Sequence, residues 1–93
     1  MVRVRGVAGR KKKYVEVVSD TSEDGVVTPL DIVWDTGVRY HVDKVLDRRQ
    51  AHSRRTGGTG MRYTVRVGGQ ETYLWCEGQR WFVEAKVVEL PEW

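Results

Sequence analysis

A chain of 93 residues, 40% hydrophobic and with 16 Lys and Arg against 13 Asp and Glu, is the size of one domain, not two. Its single cysteine excludes an internal disulfide and a cysteine-rich zinc site, and no apolar run has the length of a signal peptide or a membrane span. These features predict one cytoplasmic domain without membrane association, whose net charge of +3 is small but unevenly placed.

Residues 1–11 alternate valine with basic residues but carry Gly6 and Gly9, which predicts a flexible or edge arm ahead of a β domain over 12–90. From Lys12 to Ser19 the pattern is that of a strand, with Tyr14, Glu16 and Val18 on one face and Val15 and Val17 on the other. Asp20 to Gly25 is turn chemistry. Val26 to Trp34 predicts a second strand, in which Pro29 cannot donate to a ladder and so marks a bulge or an edge.

A type I turn at Asp35-Thr36, with Gly37 as a left-handed bulge residue, leads into Val38, Tyr40 and Val42 on one face. The period then slips, because Val45 and Leu46 are adjacent. A bulge in a strand running to about residue 50 explains the slip; a helix over 43–55 is the rival and is less favoured after so clear a hairpin. Thr56-Gly57-Gly58-Thr59-Gly60 predicts a flexible loop, and Met61 to Val67 alternates cleanly as a strand. Gly68-Gly69 predicts a two-residue hairpin turn, Glu71–Cys76 and Trp81–Val88 the last strands, and Pro91 the end. The fold class is all-β: a single antiparallel meander of five or six strands, rolled into an SH3-like barrel or a strongly bent sheet.

The chain also repeats itself. Trp34, Gly37, Arg39, Tyr40 and Val42 recur 41 positions later as Trp75, Gly78, Arg80, Trp81 and Val83. A turn at Cys76-Glu77-Gly78 equivalent to the first is expected. The four aromatics either line an exposed groove for bases or a peptide, or form a core where two hairpins pack, and the thin core of so small a domain favours the second. Arg39 and Arg80 are expected to cover an aromatic face or to pair with an acid across the hairpin.

No catalytic constellation is visible. His41 and His52 have no nucleophile in view, Cys76 has no activating base beside it, and Asp31, Asp35, Asp43 and Asp47 are spread along strand positions rather than converging on a metal. The glycine loop lacks the Lys-Ser/Thr ending of a phosphate-binding loop. The expectation is a non-enzymatic module with no metal and no cofactor.

Between Asp47 and Glu71 there is no acid but there are six arginines: Arg48, Arg49, Arg54, Arg55, Arg62 and Arg66. Their planar forks suit phosphate, so the leading expectation is weak, sequence-independent binding of DNA or RNA by an Arg-rich face. The alternative is a protein-interaction module using an exposed strand edge or an aromatic groove, with a partner protein or a second copy of the chain as a homodimer.

The run Pro29-Leu30-Asp31-Ile32-Val33-Trp34, with Gly37, Tyr40 and Val42 to Arg48, then Gly60-Met61-Arg62-Tyr63, Leu74-Trp75 and Trp81 to Glu84, resembles small bacterial β-domain proteins of no assigned activity. It is similar also to a domain found beside Y-family-polymerase-like DNA-repair proteins. The resemblance spans most of residues 14–86, implies a β-rich domain loosely associated with DNA transactions, and transfers no functional residues. The basic run Arg10-Lys11-Lys12-Lys13 lies outside it.

Overall fold

The computed structural model describes residues 7–53 and 56–88, with side chains over 11–53 and 56–85. Seven strands and no helix are found among the described residues: β1 Val7–Thr21, β2 Val27–Val33, β3 Arg39–His41, β4 Lys44–His52, β5 Thr59–Val67, β6 Gln70–Glu77 and β7 Arg80–Val88. They form one antiparallel sheet in the order β3-β2-β1-β7-β6-β5-β4. This is a meander whose first and last strands pair, so the sheet curls into a half-barrel that is open between β3 and β4.

The seventh strand arises where a single long strand was expected, because β3 and β4 lie on opposite edges. Two residues make the crossing: the Val42 amide donates to the Leu30 carbonyl and the Asp43 amide to the Arg66 carbonyl, each at 2.8 Å. β1 does the reverse and serves both halves of the curl, since residues 7–15 pair with β7 and residues 16–21 with β2. Residues 7–11, in the span expected to be an arm or edge, thus belong to a strand laddered on one side by β7, while residues 1–6 and 89–93 lie outside the described part.

The irregularities fall where the sequence breaks its period. Opposite Val18-Ser19, β2 offers Asp31 and then Pro29, which leaves Leu30 as the extra residue beside the proline. In β4 the register moves from Val45 to Asp47 and leaves Leu46 as the bulge, so residues 44–52 are strand and the helical alternative falls away. The first hairpin has the expected turn: the Gly37 amide donates to the Trp34 carbonyl at 2.9 Å, and Gly37 has φ +88°.

The second hairpin differs. Glu77 pairs with Arg80, which leaves the two-residue turn Gly78-Gln79 in place of the expected Cys76-Glu77-Gly78. Trp75 consequently faces Phe82, whereas Trp34 hydrogen-bonds Val38, and the two copies of the repeat fold out of register.

Inside the curl, Ile32, Val42, Tyr63, Val65, Leu74 and Trp81 are buried together. Tyr63 spans this core, its hydroxyl donating to the Val27 carbonyl at 2.7 Å. The repeat aromatics divide: Trp75 and Trp81 are buried, Trp34 is half-buried and Tyr40 is 45% exposed.

Candidate nucleic-acid interface

Strand alternation sends directly paired residues to the same side of the sheet. On the outer side one row runs across five strands as Tyr14, Phe82, Trp75, Arg62 and Arg49. Phe82 and Trp75 are 0% and 2% exposed although they point away from the main core. Their rings stack at 5.7 Å and 6°, and Tyr14 meets the edge of Phe82 at 5.9 Å.

The glycine-rich loop after β4 covers this second apolar cluster. The Gly58 position lies so close that a Cβ there would stand 2.6 Å from Phe82 Cζ and 2.8 Å from Lys12 Cε. Ser53 fixes the approach: its amide donates to the Gly58 carbonyl at 2.6 Å, and its hydroxyl accepts from the Thr56 amide and donates to Glu84. In the loop expected to be flexible, the described residues Ser53 and Gly58 are hydrogen-bonded to each other, and Gly58 lies against the sheet.

The structure divides the arginines expected to converge. Arg49, Arg62 and Arg66 stand on the outer side; Arg48 pairs with Tyr63 and stands on the inner side; Arg54 and Arg55 lie outside the described residues. Arg49 Nε donates to Asp47 at 2.7 Å, which holds the Asp47 carboxyl below its usual range. Arg66 approaches Glu71 at 3.6 Å. Arg48 bears on Tyr63, whose phenol is pushed up by burial against the opposing arginine charge. Lys12, from the N-terminal basic run, pairs with Glu77 at 3.1 Å and lies 5.1 Å from the centre of the Phe82 ring.

Two guanidinium groups rest on exposed aromatic faces instead. Arg62 lies 4.4 Å from the centre of the Tyr73 ring and Arg80 lies 3.5 Å from that of Tyr14, with Tyr73 and Tyr14 44% and 39% exposed. Arg39, its counterpart in the repeat, pairs with Asp31 at 2.8 Å. The expectation that these repeat arginines either cover an aromatic or pair across a hairpin is met by one of each.

The row holds a further oddity. Arg62 Nε and Trp75 Nε1 are both buried without an acceptor among the described residues. Both groups can only donate, and each buried donor left unpaired costs about 1–3 kcal/mol.

Sequence reasoning missed the outer cluster, yet its signal was present. Leu74-Trp75 and Trp81-Phe82 are adjacent large apolar pairs on neighbouring strands. Where alternation fails in this way, both sides of the sheet must be covered.

The fold and the row define a class: an all-β half-barrel that buries apolar residues on both sides and presents arginine–tyrosine pairs outward. Comparison with protein-family models, with curated proteins and with solved structures finds no match.

Proposed function

We propose that the protein is a non-enzymatic binding module that takes single-stranded nucleic acid on the outer side of its half-barrel. One observation carries this: Arg62 over Tyr73 and Arg80 over Tyr14 are the outer guanidinium groups set on exposed rings rather than on carboxylates. Exposed aromatic faces beside arginine stack bases and neutralise phosphates without reading sequence. Arg49 and Arg66, already engaged by Asp47 and Glu71, contribute less, and Arg48 on the inner side contributes least. The resemblance to a domain found beside DNA-repair proteins points the same way.

The test is fluorescence anisotropy of labelled single-stranded and duplex oligonucleotides over a series of salt concentrations. Affinity for single strands should fall linearly in log salt, and each lost phosphate contact should lower the slope by about 0.7. Arg62→Ala with Arg80→Ala should weaken binding more than Arg49→Ala with Arg66→Ala. Equal losses from the two pairs, or no binding at low salt, would refute this use of the face.

A second function is favoured by one feature of the inner side. A groove of about 700 Å³ opens where Ile32, Trp34 and Tyr40 face Val67, Val83 and Ala85. Trp34 and Tyr40 meet edge to face at 6.2 Å, and Lys13 lies 5.1 Å from the centre of the Trp34 ring while pairing with Asp35 at 2.8 Å. Such a groove suits an extended segment of a partner protein. Tyr40→Ala would abolish that interaction and leave oligonucleotide binding unchanged.

A further inference from the structure

We infer that the groove on the inner side takes the N-terminal segment of a second copy of this chain, residues 1–6, as an added strand on β6. That occupant rests on the reading of the groove as a site for an extended segment and is independent of nucleic-acid binding.

The sheet has a gap where a strand fits. β6 and β7 are laddered only from Trp75 to Glu77 and from Arg80 to Phe82. Beyond that short ladder they part. β7 continues along β1 as far as Val88, while Gln70 to Leu74 have β5 as their one ladder partner among the described residues. The groove of about 700 Å³ lies in this fork, lined by Gln70 and Thr72 of β6 and by Val83 and Ala85 of β7. An unladdered strand edge beside an apolar groove recruits an extended chain through main-chain hydrogen bonds.

Pattern and charge select the occupant. Met1-Val2-Arg3-Val4-Arg5-Gly6 alternates valine with arginine, so as a strand it would turn Val2 and Val4 to one side and Arg3 and Arg5 to the other. The valines suit the apolar groove. The arginines would then meet the outer side, where the Glu71 side chain is 58% exposed and approaches Arg66 only at 3.6 Å. The C-terminal residues Glu89-Leu90-Pro91-Glu92-Trp93 suit the position less, because they bring carboxylates toward Glu71 and Pro91 has no N–H for a ladder.

The segment comes from another copy because its own groove is out of reach. Val7, the first residue of β1, pairs with Val88, about 17 Å along β7 from Val83 at ~3.4 Å per residue. Residues 1–6 extend to about 21 Å at most. That length covers the return but leaves too little for the reversal, the crossing of β7 and a paired strand. Reciprocal exchange between two copies makes a twofold dimer.

Sedimentation equilibrium of the full chain from about 10 μM to about 1 mM reads the association expected of so small an interface. The chain should form a reversible dimer. Val2→Asp with Val4→Asp should weaken it at least tenfold, because each carboxylate would enter the groove unpaired. Both positions precede β1, so the fold should be untouched, which circular dichroism checks. Arg3→Glu with Arg5→Glu should weaken the dimer through repulsion from Glu71, and Glu71→Lys in that background should restore it in part. In a mixture of ¹³C-labelled and unlabelled chains, filtered NOEs should join the Val2 and Val4 methyls of one copy to the Trp34 and Tyr40 rings of another.

A monomer at every concentration, or a dimer indifferent to the Val2 and Val4 substitutions, would overturn this occupant. NOEs confined to one copy would do so too, by seating the segment in its own groove. Failure of the groove itself is read separately, with a neutral hexapeptide alternating valine and threonine. A saturable response of the Trp34 indole signal to that peptide in a monomeric chain, lost in Tyr40→Ala, would keep the groove reading and reject the second copy. A monomer whose Trp34 signal ignores the peptide would reject both.

Discussion

Gly58→Ala tests the outer cluster directly. Gly58 does not have a positive φ, so alanine meets no backbone penalty there and the whole effect must come from contact. The new methyl would stand 2.6 Å from Phe82 Cζ and 3.2 Å from its Cε2. Carbon atoms prefer roughly 3.5–4.0 Å, so the nearer contact is about 1 Å too short. Neither side yields easily. Phe82 is fully buried and stacked on Trp75, and the Gly58 carbonyl accepts from the Ser53 amide at 2.6 Å. Lys12 Cε, at 2.8 Å, can swing aside because it ends a flexible chain. Overpacking of this kind costs about 1–3 kcal/mol, and the middle of that range corresponds to a fall of roughly 10 °C in Tm for a domain this small. Calorimetry of Gly58→Ala, Phe82→Leu and the double variant isolates the cause. Leucine lacks the two ring atoms involved, so in the Phe82→Leu background the Gly58→Ala penalty should shrink to less than ~0.5 kcal/mol. Additive penalties, or full stability of Gly58→Ala alone, would show that the loop does not rest on the ring.

Tyr63→Phe removes the donor that satisfies the Val27 carbonyl inside the core and should lower stability by about 1–2 kcal/mol, seen as a lower urea midpoint at unchanged slope. Acid should destabilise the fold through paired carboxylates. A hydrogen bond from Lys12 holds Glu77 below its ordinary 4.5, and hydrogen bonds from Arg39, Lys13 and Arg49 hold Asp31, Asp35 and Asp47 below 3.8. Each folded-state pKa is depressed, so its contribution is complete above the ordinary value and is lost as pH falls through the depressed one. Urea midpoints measured from about pH 6 down to about pH 2 should decline across that window, and Glu77→Gln should flatten its upper part; a flat profile would refute the pairing. Burial pushes the Cys76 thiol up, so it should alkylate more slowly at neutral pH than an unstructured cysteine peptide, and a rate matching the peptide would contradict its placement.

Much of the fold was legible because its rules are local. Alternation identified β5, Gly37 and Gly68-Gly69 fixed two turns by their need for positive φ, and the adjacent pair Val45-Leu46 announced a bulge. The break between β3 and β4 was not legible. It falls where the Val42 amide still bonds Leu30 of the hairpin while the Asp43 amide turns to Arg66 on a strand distant in sequence, and no local pattern encodes that second bond. The repeat misled for a related reason. Similar letters placed Gly37 and Gly78 alike, but one residue fewer in the second turn shifted every later pair. The arginine face was legible in composition and not in geometry. Consecutive Arg48 and Arg49 must take opposite sides of a strand, so a run of charge in sequence is halved by the pleat before any partner is considered.

Burial on the outer side and the choice of binding residues are linked. Trp75 and Phe82 each gain about 2–3 kcal/mol by leaving water, but only if something small enough can lie flat upon them. Glycine at 58 meets that condition, and it leaves the rings of Tyr14 and Tyr73 at either flank of the cluster uncovered. Those flanking rings are where Arg80 and Arg62 settle, drawn by the π-face rather than by a carboxylate. A guanidinium held this way rests on a ring and not in a hydrogen bond to a carboxylate, although Arg62 keeps its Nε buried and lies in the field of Asp47. Arg49 and Arg66, beside acids, are taken up by neighbours in their own sheet. Packing on the outer face thus separates arginines available to a phosphate from those committed to the fold, a division that counting positive charges along the chain would miss.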